Sequence, residues 1–357
     1  MQSHGSVCGT TECRRSATPA LAAGAGVALR RRSSGSGCAL AVRTAGCPCE
    51  PHPGAGVPPV LVTGAAGSVG AVGRSVVEGL RQRDLPVRAM VRRDDERAQA
   101  LRATGAEVVI GDLTRAGDVA DALAGCARMY FGMSVSAQYL EAAVTAAAVA
   151  RAYGRLEVFV NMSQLTVSEM DLTSTSESVQ QRQQWLAEQV LDWSGLPVVQ
   201  VRPTVFMENP LFRVGFSSIA KYGTIRLPFG RAKSSPVAAG DVAAVVEEIL
   251  ADPAPHIGRI YELTGPRSED IAAMAAEVST VLGRPVRYAD IPLQEWIDDD
   301  LRPLGLPDHV FQHISTMARL HAENRYDRKA EGVEQVTGRP PSGVADYVRD
   351  NLSLFSP

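Results

Sequence analysis

Residues 62–70 read Val62-Thr63-Gly64-Ala65-Ala66-Gly67-Ser68-Val69-Gly70. They follow the apolar run Val60-Leu61-Val62 directly. They open a segment, 68–83, in which Val69, Val72, Val76, Val77 and Leu80 share one helical face. Strand, glycine turn and helix in that order make a phosphate-binding βα turn. Gly64 suits the tight turn, Gly67 clears the backbone for a pyrophosphate, and Gly70 lets helix and strand pack closely. The helix N-terminus offers free N–H groups and a positive dipole end. Thr63, Ser68 and Val69 complete the candidate loop. The spacing is G-x-x-G-x-x-G, so the strand–turn–helix context carries the reading against a plain glycine-rich turn.

Outward from this turn, strand-like and helix-like runs alternate. Strands are expected at 87–91, 107–110, 129–133, 156–160 and 198–201, and helices at 94–103, 116–124, 138–153 and 179–193. Gly105, Gly125, Gly154 and Gly195 stand where helices should stop. Apolar strands joined by helices imply a parallel sheet covered on both faces. The expected fold class is α/β, a doubly wound parallel Rossmann sheet with a smaller, mostly helical C-terminal lobe. The expected domains are 58–203, binding the dinucleotide, and 204–357, a substrate lobe whose late sheet elements (236–265) return to the first core. In that stretch Asp241 is expected to cap a helix running to Leu250.

In such a sheet the ligand lies outside the carboxyl ends of the strands. An acidic residue about 20 residues past the glycines would bind a ribose hydroxyl. Here Arg92 and Arg93 stand in that place. Guanidinium groups suit a 2′-phosphate, which favours NADP(H) over NAD(H); the alternative is that they solvate a strand end while Asp94 or Asp95 takes the ribose. Asp112, with Leu113, follows the third strand and can accept from an adenine amino group, cap the next helix, or both. Met133 and Ser134 after the fourth strand, and Ser163 after the fifth, lie at the edge where the nicotinamide should rest.

The chain has 36 Lys+Arg against 39 Asp+Glu, a net charge of −3, which argues against a nucleic-acid or anionic-membrane partner. No apolar run approaches the roughly 20 residues of a bilayer span. The charge is uneven. The first 57 residues hold six arginines, two acids and five of the six cysteines, leaving 30 bases against 37 acids beyond. This stretch has no apolar period and reads as a disordered tail or sequence upstream of the true start; a transit peptide is the competing reading. The body, with Cys126 alone, suggests a reducing compartment: cytoplasmic, or stroma or matrix if the tail is a transit peptide. Cys47-Pro48-Cys49 has the wrong gap for a zinc knuckle, and His309 with His313 is better read as an exposed or packed pair than as metal ligands, so no metal is expected.

Further motifs follow in order: Val-Arg-Arg (91–93), Gly-Asp-Leu-Thr (111–114), Val-Arg-Pro-Thr-Val-Phe-Met-Glu-Asn (201–209), Leu-Pro-Phe-Gly (227–230), Pro-Val-Ala-Ala-Gly-Asp-Val-Ala (236–243), Tyr-Glu-Leu-Thr-Gly-Pro (261–266) and Thr-Gly-Arg-Pro-Pro (337–341). With the glycine loop they make residues 58–353 resemble the NmrA-like branch of the atypical short-chain dehydrogenase/reductases. That branch includes NADPH-sensing regulators and type-2 NAD(P)H:quinone oxidoreductases. The resemblance implies that Pro203 and its neighbours meet the nicotinamide carboxamide. It also implies that Phe206 and Asn209 face the substrate cleft, where Gln138 is expected as well; ordinary packing is the rival role for Phe206.

Ordinary members of the superfamily protonate the forming alkoxide with a Tyr-x-x-x-Lys pair. The corresponding helix here, Gln180 to Gln189, holds neither residue. Two readings survive. One is an oxidoreductase passing hydride from NADPH to a quinone-like or other electrophilic small molecule, with water as the proton source. The other is a non-catalytic NADP(H) redox sensor acting through a protein partner. The first is preferred narrowly, and a homodimer is compatible with either.

Overall fold

The computed structural model describes residues 57–67 and 71–355. The basic, cysteine-bearing tail up to residue 56 lies outside the described residues, as do Ser68, Val69 and Gly70.

Chain order in the first half is β1 (Val60–Thr63), α1 (Val72–Gln82), β2 (Val87–Val91), α2 (Glu96–Ala103), β3 (Glu107–Ile110), α3 (Ala116–Leu123), β4 (Arg128–Phe131), α4 (Tyr139–Tyr153), β5 (Val158–Met162), α5 (Val179–Ser194) and β6 (Val198–Pro203). There follow α6 (Pro210–Tyr222), β7 (Thr224–Leu227), β8 (Lys233–Ser234), α7 (Ala239–Ala251), β9 (Ile260–Leu263), β10 (Glu269–Asp270), α8 (Ile271–Leu282), β11 (Arg287–Asp290), α9 (Leu293–Trp296), α10 (Asp308–Ala322), α11 (Gly332–Thr337) and α12 (Val344–Asp350).

Seven strands form one sheet in the order β3-β2-β1-β4-β5-β6-β9, every pairing parallel. Their residues alternate between two cores, as a period of two requires. Val60 and Val62 of β1 pack with Val76, Val77 and Leu80 of α1 and with Val242, Val246 and Ile249 of α7. Leu61, with Met129 and Phe131 of β4, packs with α3, α4 and α5 on the other face. A fully buried Val, Leu or Phe contributes about 1.5–3 kcal/mol, so a sheet covered on both faces outweighs the weak intrinsic preferences of its short strands. Five of the seven alanines of α4 (Ala142, Ala143, Ala146, Ala147, Ala150) are buried in this second core. Covering the sheet therefore accounts for that Ala-rich helix.

A third core lies beyond β6. Phe212 and Phe216 of α6, Ile225 and Leu227 of β7, Trp296, and Ile314, Met317 and Leu320 of α10 pack together there.

Several boundaries differ from the sequence expectation for local reasons. The second helix starts at Glu96, not Asp94, because Asp95 is its N-cap, its carboxylate accepting from Arg97 N at 3.0 Å and Ala98 N at 3.4 Å. The fourth strand ends at Phe131, so Met133 belongs to the loop that follows it. Asp241 does not cap α7. Ala238 holds the N-cap position, and Asp241, one turn in, accepts from Ser342 N at 2.7 Å and faces Arg339 at 3.4 Å. It thereby ties the 236–243 motif to the 337–341 motif.

Candidate functional site

The chain runs outward from β1 to β3 on one side, then returns to place β4 on the other side of β1. The connections leaving β1 and β4 diverge, and a crevice opens at their carboxyl ends. The two turns are held together by Thr63. Its hydroxyl donates to Gly132 O at 2.9 Å, and Gly132 N donates back to it at 3.0 Å. Thr63 is fully buried, and its side chain belongs to this latch, not to the wall of the crevice. Gly64 follows with φ +71°, and a Cβ there would stand 2.4 Å from Gly132 O. At Gly67 the nearest atoms to an added Cβ are Gly64 O at 3.1 Å and Ser134 Oγ at 3.4 Å. Close helix–strand approach is required at Gly73, where a Cβ would meet the Ala65 backbone at 2.9 Å. The sequence reading gave that role to Gly70, which lies outside the described residues.

The crevice has two connected halves, which share Gly64, Gly67 and the 132–135 turn. The first, about 360 Å³, is bordered by Arg92, Arg93, Arg97, Asp112, Leu113 and Gln138. Arg92 reaches within 3.4 Å of Asp112 and keeps 66% of its side chain exposed. Arg97, missed in the sequence, is committed to Asp95 and to Ala66 O at 3.1 Å. Asp112 accepts at Oδ1 from the Thr114 backbone N–H (3.0 Å) and hydroxyl (2.8 Å). These bonds first, then Arg92 and Arg115, hold its carboxyl below the usual range. It does not cap the next helix, whose N-cap position is Arg115. Gln138 was expected in the substrate cleft. It borders this half instead, as the N-cap residue of α4 at the end of the 133–138 loop that lines the arginine side.

The second half, about 390 Å³, is bordered on the sheet side by Met162, Ser163, Pro203, Thr204 and Phe206, with Asn209 beyond. Asn209 also caps α6, accepting from Leu211 N at 2.9 Å. The Ser163 and Thr204 hydroxyls are buried with no protein partner, a state that a bound polar group would relieve. The opposite wall comes from α10, through Val310, His313, Ile314 and Met317. Among the described residues bordering this half there is no Asp, Glu, Lys or Arg.

Where a Tyr-Lys pair would stand, α5 presents Gln184, bonded to Gln164. Tyr139 is buried and donates to Met162 O at 3.1 Å; burial pushes its phenol far up, which removes it as an acid. Of the histidine pair, His309 faces Gln180 at 3.1 Å, while His313 reaches the cavity wall.

A family model described as NAD(P)H-binding matches residues 67–253. A (4-alkanoyl-5-oxo-2,5-dihydrofuran-3-yl)methyl phosphate reductase from Streptomyces griseus is 31% identical, over 84% of this chain and 99% of that protein. An NAD(P)H azoreductase from Xenophilus azovorans is 29% identical, over 83% of this chain and 99% of its own length. Among solved structures, an NADPH-dependent quinone oxidoreductase from Escherichia coli complexed with NADPH superposes with a TM-score of 0.70. It is 22% identical, over 82% of this chain and 99% of that one.

Proposed function

The chain belongs to the NAD(P)H-binding family, in the atypical short-chain dehydrogenase/reductase group, and on that premise we propose that it is an NADPH-dependent reductase of uncharged, electrophilic small molecules, quinones foremost. One observation carries this reading: the partition of charge along the crevice. Three arginines border one half, and the described residues offer the other half no charged side chain.

The fit to a dinucleotide rests on the chain's own residues. The Gly64–Gly67 turn leaves room for a pyrophosphate against the backbone. Arg92 and Arg93 supply exposed guanidinium groups for a 2′-phosphate, which favours NADP(H) over NAD(H). Ser163, Thr204 and Pro203 would hold the nicotinamide end, where two buried hydroxyls want partners. Bound there, the reduced nicotinamide supplies a hydride.

The neutral half must then orient the acceptor and exclude water. Among the described residues it provides no ready acid, since burial pushes the bordering Tyr130 and Tyr326 phenols far up; that disfavours simple ketones and suits an acceptor whose reduced form is a stable anion. A quinone meets that condition: hydride plus one proton from water gives the hydroquinone. The azoreductase relative is named for another electrophilic acceptor, an azo compound. The relative named for a phosphate substrate fits less well, because a phosphate buried here would find no cation and would bear an unpaired desolvation cost.

A multi-turnover assay with NADPH and a panel of small quinones tests the proposal. Turnover is expected, with kcat/KM at least about tenfold higher for a neutral quinone than for its carboxylated counterpart. Tight NADPH binding with no turnover anywhere on the panel would sink the reductase reading in favour of a ligand-responsive sensor.

A further inference from the structure

The α10 wall of the neutral cavity is apolar at every bordering position but one. Val310, His313, Ile314 and Met317 follow the i, i+3, i+4, i+7 spacing of a single helix face, and His313 is its polar break. This histidine is only 5% exposed. Its Nδ1 lies 2.7 Å from Ser178 Oγ. Ser178 is itself fixed as the N-cap of α5: Oγ accepts from Gln181 N at 3.1 Å, and Ser178 N donates to Gln181 Oε1 at 2.8 Å. Gln181 Nε2 in turn donates to Thr166 Oγ1 at 3.1 Å.

That network selects the tautomer. Ser178 Oγ already receives the Gln181 N–H, and its own proton has Nδ1 as the acceptor within reach. The reverse arrangement would strand a buried hydroxyl proton, at about 1–3 kcal/mol. Nδ1 therefore accepts, and the ring proton resides on Nε2.

We propose that His313 is a substrate-binding residue whose uncharged Nε2–H donates a hydrogen bond to the acceptor atom of a neutral substrate, the carbonyl oxygen in a quinone. The proposal rests on the cavity being a site for neutral electrophiles. Burial, aided by nearby His309, pushes His313 down to about 3. The ring is thus neutral in any ordinary assay, where it orients the acceptor without giving up its proton; the proton of the product comes from water.

Binding of 1,4-naphthoquinone to the protein saturated with NADP⁺, followed by equilibrium dialysis, tests this without turnover. His313→Phe keeps the ring volume and loses the donor, and its Kd should rise about tenfold. His313→Gln places an amide nitrogen near the lost Nε2 and should stay within about threefold of wild type. NADPH affinity, measured as a check on folding, should be unchanged in both. Equal binding by wild type and His313→Phe overturns the assignment. So does a His313→Gln variant as weak as His313→Phe, which would mark a packing role, or a wild type that binds no naphthoquinone. A wild type that binds the quinone through His313 yet never reduces it with NADPH leaves the assignment standing and removes the reductase reading. Normal turnover and binding in His313→Phe does the opposite.

Discussion

Replacing Arg92 and Arg93 together by Glu should raise the Kd for NADPH at least about a hundredfold and that for NADH less than about threefold. A charge-assisted hydrogen bond is worth about 1.5–3 kcal/mol, so two lost at once exceed a factor of a hundred. NADH has no 2′-phosphate and forfeits neither. The two arginines are available for this role in a way that Arg97 is not. The Arg97 guanidinium is held by Asp95 and the Ala66 carbonyl, whereas Arg92 is 66% exposed with its carboxylate partner 3.4 Å away. A glutamate at position 92 would also face Asp112, so Arg92→Gln with Arg93→Gln is the necessary companion. It should keep the selective loss of NADPH affinity while avoiding the added repulsion. Fluorescence titrations with both cofactors at two salt concentrations decide the matter. An equal loss for NADPH and NADH would show that these side chains do not read the 2′-phosphate, and a wild-type affinity for NADPH that ignores salt would argue the same.

The order of strands and helices was legible because it depends on burial, and burial is written as period. Val60, Leu61 and Val62 alternate between the two faces of the sheet, and Val72, Val76, Val77 and Leu80 line one side of a helix. The strand ends were legible too, since an α/β sheet gathers them: Gly64, Arg92, Asp112, Ser134, Ser163 and Pro203 all border one crevice although they span 140 positions. What failed to show was side-chain commitment. Thr63 stands beside the glycines, yet its hydroxyl is taken by Gly132 across the sheet. Asp241 looks like a cap, yet it serves a segment about a hundred residues later. Gln138 was expected on the substrate side, and it borders the arginine side. His313 had a signal, the single polar residue in an otherwise apolar i, i+3, i+4, i+7 stripe. Its meaning required knowing that Ser178, 135 residues earlier, lies against it.

Gly64→Ala should abolish measurable NADPH binding and cost about 3 kcal/mol or more of stability, whereas Gly67→Ala should cost less than about 1 kcal/mol. The difference follows from geometry at two glycines of one turn. Gly64 holds φ +71°, a region that costs an L-residue about 1–2 kcal/mol on its own. Its added Cβ would also stand 2.4 Å from Gly132 O and 2.8 Å from Gly132 C. Those are backbone atoms, and the same Gly132 carbonyl is gripped by the Thr63 hydroxyl, so neither side of the contact can yield cheaply. Relief requires the β1 and β4 turns to separate, and these turns are shared by both halves of the crevice. The arginine side and the neutral side would thus lose their registry together. At Gly67 no positive φ is demanded, and the nearest contacts are 3.1 Å to Gly64 O and 3.4 Å to the rotatable Ser134 hydroxyl. A methyl there asks the Gly64 carbonyl to give by only a few tenths of an ångström, and it stands in the way of an incoming pyrophosphate. Thermal denaturation paired with NADPH titration separates the two effects. Gly64→Ala should lose both melting temperature and binding, and Gly67→Ala chiefly binding. A Gly64→Ala protein that melts with wild type and still binds NADPH would mean that the β1 turn does not hold the strained, close-packed geometry on which the crevice depends.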